Sequence, residues 1–361
     1  MSIILVVFAF SYFCLANQNV YGKNSIQKTF SLLTLITSLI LIVAFRPVEW
    51  PDTELYIEGF KNISLQTFDF EQTLSYSDNK LRYNYGESGF IWISYLFKSI
   101  SDNWIIYFLG VSIVTFVFLY KFLTNYALYP IIGLLVYVSR FMLFRNMAQI
   151  RAALAIAIFL FAIKYAADRK VLPYLFITGI AASLHISLLI AIPFYWLCKY
   201  KLSTKQISFV LFCAFIFAFA CKSVLSNYLQ ILSTQADIGQ SYVGGTAQYS
   251  VGLGLLNPMI YYQSAVLIVY SSLAHKLESQ VKYYNVIKNG YLFSTIILIG
   301  LSQFLVIAGR FSTIFATLEI CILPAFIKAS TPKYRELTIL IIGVLSTFFL
   351  YNNLSKLSFF Q

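Results

Sequence analysis

The stretch from Val171 to Cys198, VLPYLFITGIAASLHISLLIAIPFYWLC, decides how the rest of the chain is threaded. Its 28 residues are apolar apart from a few hydroxyls and His185, with Arg169 and Lys170 before it and Lys199, Lys201 and Lys205 after it. A spanning helix needs about 20 apolar residues. One crossing would put the two basic clusters on opposite sides of a bilayer, against the bias of Lys and Arg toward cytoplasmic loops. Two short helices that dip in and return, broken near Ser183-Leu184-His185, keep both clusters on one side. The alternative is a single long helix, tilted or broken at Pro193.

Working outward, apolar runs recur at 3–16, 29–45, 103–123, 128–144, 149–166, 206–226, 259–275, 287–307, 311–327 and 335–352. The chain therefore reads as an all-α polytopic membrane protein with about ten full spans plus the re-entrant pair at 171–198. Composition agrees: 59% of the 361 residues are hydrophobic and only 11% charged, against about 25% charged in ordinary soluble domains. Ile3 to Leu15 reads as a first anchor, because no basic region precedes it and no small-residue cleavage site follows. The net charge of +12 fits basic cytoplasmic loops beside anionic lipid better than nucleic acid. Cys14, Cys198, Cys213, Cys221 and Cys321 show no paired spacing and read as small apolar side chains.

This threading places the N-terminus outside and 15 of the 26 basic residues in cytoplasmic loops, while nine of the 14 acids fall between Glu49 and Asp102. That stretch is the first outer loop, 46–102, with an amphipathic helix expected near 52–64 whose Leu55, Phe60 and Ile63 face the membrane. The second outer loop, 227–258, is polar and carries Gly239, Gly244, Gly245, Gly252 and Gly254, a composition suited to a lid. Chain 1–361 is expected to be one transmembrane domain with short helices in these two loops.

Charge at a bilayer is costly, about 2.5–3.5 kcal/mol for an arginine at a helix centre on insertion scales, so it tends to mark function. Arg140, Arg145 and Arg151 lie within 12 residues where two spans meet on the outer side, and Arg310 lies at another outer turn. Guanidinium takes phosphate oxygens in a two-pronged fork, so these arginines suit a diphosphate; snorkelling to lipid headgroups is the plainer reading. Gln149 lies in the same run. His185 is either a packing residue or a donor to phosphate or sugar. Asp52 and Glu87 sit where loop meets apolar sequence, placed to deprotonate a sugar hydroxyl; a solvated carboxylate is the competing reading. Tyr56, Tyr85 and Tyr242 are candidates to stack on sugar faces. No Gly-rich phosphate loop, zinc spacing or serine-hydrolase elbow is present.

The order Asp52…Tyr56, Glu87-x-Gly89-Phe90, Arg145-x-x-x-Gln149-x-Arg151-x-x-Leu154-Ala155, Ser183-x-His185-x-Ser187 and Arg310-Phe311 resembles the EpsG-like family of Wzy-type O-antigen and exopolysaccharide polymerases, over about residues 1–330. The resemblance implies a multi-span, GT-C type glycosyltransferase that uses no cofactor and no metal. Its partner would be an undecaprenyl-diphosphate-linked oligosaccharide, in the bacterial inner membrane and with the site facing the periplasm. A chain-length regulator and membrane lipids are further partners, and nucleic acid is not. It implies substrate-binding roles for Arg145, Arg151, Arg310 and His185 and acid roles for Asp52 and Glu87; Gln149, Arg140 and Tyr56 are taken with the binding set. The family often has Gly before this aspartate and Tyr after it. Here Pro51 and Thr53 stand in those places, which favours Glu87 as base. A lipid-linked oligosaccharide flippase, an acyltransferase or an O-antigen ligase are the rival readings.

Overall fold

The apolar runs fold into helices, and among the described residues there is no strand; the computed structural model describes residues 2–221 and 253–357. The helices named below are α1 (Ser2–Tyr21), α2 (Ser25–Ala44), α3 (Thr53–Lys61), α4 (Tyr76–Tyr83), α5 (Ser88–Ile100), α6 (Trp104–Tyr126), α7 (Pro130–Tyr137), α8 (Ile150–Phe159), α9 (Ala162–Ala167) and α10 (Val171–Leu184). They continue as α11 (Thr204–Ala220), α12 (Pro258–Ser272), α13 (Tyr284–Gly300), α14 (Leu305–Ala316), α15 (Glu319–Ala329) and α16 (Arg335–Leu354).

The protein is a polytopic membrane protein, but the described residues do not hold ten full spans. Among the described residues five helical stretches are long and apolar enough to cross a bilayer: Ile3–Tyr21, Ser25–Ala44, Trp104–Tyr126, Ile150–Ala167 and Pro332–Leu354. α14 and α15 qualify only as a bent pair, which makes up to six. The missing crossings have physical causes. α12 has 15 residues and α11 and α13 have 17 each, so at about 1.5 Å per residue they fall short of a hydrocarbon core roughly 30 Å thick. The run expected at 128–144 is interrupted, because α7 gives way to a π-helical turn over Val138–Met142. The GT-C type expectation, which the resemblance implied, is not consistent with this architecture either.

The break expected at Ser183-Leu184-His185 is present. α10 ends at Leu184, His185 is extended (φ −156°, ψ 109°), and a 3₁₀ segment follows over Ile186–Ala191. The Tyr174 hydroxyl donates to the Ala191 carbonyl at 2.6 Å. The chain therefore returns alongside α10 and does not continue as one long helix.

The chain divides into two compact units, Met1–Ile192 with Ile320–Gln361, and Pro193–Glu319. In the first, α1 packs on α16: the Tyr12 hydroxyl donates to the Ile339 carbonyl, and a Cβ at Gly343 would lie 2.7 Å from the Tyr12 ring. Asn19 of α1 accepts from the Ile131 amide and so caps the start of α7. The opposite faces of α1 and α2 expose Ile3, Val6, Phe10, Ile26 and Phe30, an apolar surface too continuous for water and suited to lipid.

α3 occupies the position of the expected amphipathic helix, but its packing is reversed. Phe60 and Ile63 are buried, Phe60 stacks on Tyr107 with ring centroids 4.5 Å apart, and Leu55 is left exposed. The aromatic ring of α6 offers Phe60 a better partner than lipid does.

In the second unit, Ser203 caps α11 in a capping box with Gln206. A polar core joins Ser294 to Gln263 and to the Ser312 carbonyl. The buried Glu319 accepts from Tyr262 at 2.6 Å and Tyr291 at 3.0 Å. Residues 222–252, which hold most of the expected glycine-rich loop 227–258 and Tyr242, lie outside the described residues.

Candidate functional site

Four elements of the first unit converge on Glu87. The residue caps α5 from an extended conformation (φ −79°, ψ 115°), and its carbonyl accepts from the Phe90 and Ile91 amides. Its side chain makes no capping bond and turns instead toward Arg151 and His185. Oε2 is ion-paired with Arg151 Nη1. Oε1 lies 3.2 Å from His185 Nδ1 and 3.5 Å from the Ile186 amide. An ionised carboxylate only accepts, so Nδ1 carries the proton in this contact.

Each partner is held in place by its own backbone. Arg151 stands in the first turn of α8, where the helix dipole disfavours a cation; the Glu87 carboxylate offsets that cost. Its Nε donates to the Tyr56 hydroxyl at 3.2 Å, and its guanidinium lies over the Tyr56 and Tyr85 rings at 5.6 and 5.4 Å. Tyr56 comes from α3. Tyr85, on the turn before Glu87, donates to Ser94, which also bonds the Tyr107 hydroxyl. His185 arrives at the α10 break.

Gly89 lets these parts meet. A Cβ there would stand 2.3 Å from Ser183 Oγ and 2.8 Å from the Ser183 carbonyl, far inside contact distance. The start of α5 therefore lies directly on the end of α10, which sets Glu87 against His185. The spacing Glu87-x-Gly89 and Ser183-x-His185 is thus one contact written in two places in the chain.

The loop before Glu87 is tied to the same turn. Thr73 accepts through its carbonyl from Ser88 Oγ and Asn79 Nδ2, both at 2.6 Å, and Asn79 also donates to the Gly86 carbonyl. A polar cleft of about 340 Å³ on this loop is lined by Glu71, Gln72, Thr73, Asp78 and Arg82, among others.

Glu87 is only 4% exposed. Burial alone would push its carboxyl up. The hydrogen bond from His185 and the charges of Arg151 and His185 outweigh that and hold it at about 2. The carboxylate is therefore fully ionised at neutral pH and clamped by its partners.

Of the residues expected from the sequence, Glu87, Arg151, His185 and Tyr56 come together. Tyr56 and Tyr85 are buried against Phe90 and one another, so their rings support Arg151 where an open sugar platform was expected. Gln149 is the half-buried N-cap of α8. Arg145 is buried with its guanidinium 4.4 Å from the Phe141 ring, and Arg140 lies over Phe141 and Phe349. Asp52 is not among the groups gathered at Glu87: it is exposed, in a left-handed conformation (φ 62°), and its side chain makes no capping bond. Arg310 is not at a turn. It lies within α14 of the second unit, and the turn falls at Leu301–Phe304.

Sequence reasoning passed over two residues. Gly89 carries no chemistry of its own, and only its close approach to Ser183 marks it. Arg46, which directly follows the second apolar run, is buried beneath Phe108 and donates through Nη1 to the Asn146 carbonyl at 2.9 Å. An arginine abutting an apolar run was the available signal.

No curated protein and no solved structure matches the chain. The model of the EpsG family matches residues 29–361, covering every element of the site just described. The chain belongs to the EpsG family.

Proposed function

We propose that this protein is a polysaccharide polymerase. In this reading it transfers a growing O-antigen or exopolysaccharide glycan from undecaprenyl diphosphate to a lipid-linked repeat unit, at the periplasmic face of the bacterial inner membrane. Family membership supports the polymerase class. The observation that carries the mechanism is the Arg151–Glu87–His185 cluster in the first unit.

The reaction needs an acceptor hydroxyl to attack the anomeric carbon of the donor glycan. The bond from that carbon to the phosphate oxygen breaks, undecaprenyl diphosphate departs with the electron pair, and the hydroxyl proton must go to a base. With its carboxyl at about 2, Glu87 is a poor base while Arg151 and His185 hold it, because an effective base titrates near the working pH. The donor diphosphate competes for Arg151 as the better-matched fork partner. Its arrival draws the guanidinium from Glu87 and lifts the carboxyl toward its ordinary range, so the base is released only when donor is bound. Fixed cations then stabilise the leaving diphosphate, an effect worth roughly 3–4 kcal/mol per well-placed donor in related electrostatic sites. Arg145, Gln149 and Arg140, of the same unit, extend the set of groups for the donor, and the polar cleft by Thr73 offers side chains of the kind that hold sugar hydroxyls. Glu87 is preferred to Asp52 as base because Asp52 is exposed and, among the described residues, is ion-paired with no arginine.

The test is polymer laddering on a gel from cells in which this chain supplies the polymerase, with membrane levels matched. Glu87→Gln is expected to leave single repeat units, since an amide cannot take the proton; a normal ladder from that variant overturns the mechanism.

A further inference from the structure

Arg46 carries an unbalanced charge that its fold position does not explain. It is 2% exposed, and no acidic side chain pairs with it among the described residues. One corner of the guanidinium, Nη1, donates to the Asn146 carbonyl, and one face is covered by the Phe108 ring at 3.7 Å. Nε and Nη2 are buried and have no partner among the described residues. These two nitrogens are neighbours on the same edge of the guanidinium plane. That edge is the one whose parallel N–H groups grip two oxygens of a phosphate or carboxylate at once.

Burying such an edge unmet is expensive, since an unsatisfied charged donor forfeits its hydration with nothing in return. Asn146 alone would need only one nitrogen. A lysine could meet that demand, and an apolar side chain could fill the space. The surroundings point the same way. Tyr56 and Tyr107 lie within electrostatic reach of Arg46, and Tyr56 is also the hydroxyl that Arg151 holds. One guanidinium is thus engaged with Glu87 and the other has its bidentate edge unmet.

We infer that Arg46 is a substrate-binding residue whose Nε/Nη2 edge takes a phosphate of a polyprenyl-diphosphate ligand beside Arg151. The inference rests on the proposed polymerase function for the identity of the ligand. Its physical basis, a buried fork without an acceptor, is independent of that function. Arg46 holds the anion while Arg151 exchanges Glu87 for it, so the two arginines divide the work: one is a standing receptor and the other a switch.

The experiment uses the full chain purified in detergent, with farnesyl diphosphate as the soluble probe and binding read by thermophoresis. Arg46→Lys keeps the charge and loses the fork, and Arg46→Met removes both. Each is expected to weaken farnesyl diphosphate binding roughly 10- to 100-fold, the range for losing a charged hydrogen-bonded contact, with farnesol binding unchanged. Inorganic pyrophosphate is expected to show the same dependence on Arg46. Thermal unfolding of each variant without ligand checks folding, and if Arg46→Met does not fold, Arg46→Lys decides. Wild-type affinity for farnesyl diphosphate in Arg46→Lys overturns the assignment. So does displacement of the probe by phosphatidylglycerol micelles at equal phosphate concentration, which would make the ligand a bulk lipid headgroup. If the wild-type protein binds diphosphate through Arg46 yet makes no polymer from lipid-linked repeats, the polymerase reading fails and this site stands.

Discussion

Mutating the Glu87–Arg151 pair singly and together measures whether it is the clamp that its burial implies. Glu87 is 4% exposed and Arg151 22% exposed at the side chain, so the pair is well screened from water on one side only. Leaving one partner of a fully buried pair alone costs about 3–5 kcal/mol, while exposed pairs couple by about 0.2–1 kcal/mol. The carboxyl itself narrows this range. Its net fall from 4.5 to about 2, at about 1.4 kcal/mol per pH unit, leaves about 3 kcal/mol after burial has opposed it, so the His185 hydrogen bond and the Arg151 and His185 charges together contribute more than that. For a pair buried on one side, the Glu87–Arg151 coupling is expected between those limits, at about 1–3 kcal/mol. Glu87→Gln, Arg151→Gln and the double variant are compared by equilibrium unfolding in mixed dodecylmaltoside and SDS micelles, followed by tryptophan fluorescence. The two single changes are expected to destabilise more, summed, than the double change does, because the double variant leaves no orphaned charge. A coupling below about 0.5 kcal/mol refutes the clamp and, with it, the idea that diphosphate must displace Glu87 from Arg151.

Three further outcomes follow from the same geometry. Because the folded Glu87 carboxyl lies below its ordinary value, its stabilisation is complete above about 4.5 and is lost as pH falls toward about 2; His185→Gln weakens the strongest partner and is expected to move that acid limb to higher pH in unfolding curves. Gly89→Ala forces a Cβ to 2.3 Å from Ser183 Oγ, so α5 and α10 must separate, at a cost of about 1–3 kcal/mol for overpacking, and polymer laddering is expected to be lost. Adding Ser183→Ala restores only part of it, since the Ser183 carbonyl remains 2.8 Å away. At Asp52, whose φ of 62° suits Asn, Asp52→Asn is expected to keep both stability and laddering. Asp52→Val costs about 1–2 kcal/mol from the left-handed backbone, and a silent ladder from Asp52→Asn would return Asp52 to the list of bases.

Much was legible from the chain itself. Composition and recurrent apolar runs established an all-α membrane protein, because a low-charge sequence of this kind has no other solvent in which to bury its surface. The basic clusters around Val171–Cys198 placed a fold-back at Ser183–His185, and helix α10 ends there. Glu87, Arg151, His185 and Tyr56 stand out in the sequence as charged, polar or aromatic groups beside apolar runs and in the resemblance to the EpsG-like family, and the fold gathers them.

Other features depended on three-dimensional contacts that no local pattern encodes. Whether an apolar run crosses the bilayer depends on unbroken helix length, and the π-helical turn at Val138–Met142 and the 15- and 17-residue helices reduced ten expected crossings to five, or six with the bent pair. The pairing of Glu87 with Arg151, 64 residues away, and the burial of Phe60 against Tyr107 are tertiary choices among many available partners. So is Arg46, which in sequence is only a basic residue after an apolar run. Packing under Phe108 turns it into a buried fork, because burial removes the water that would otherwise have satisfied it.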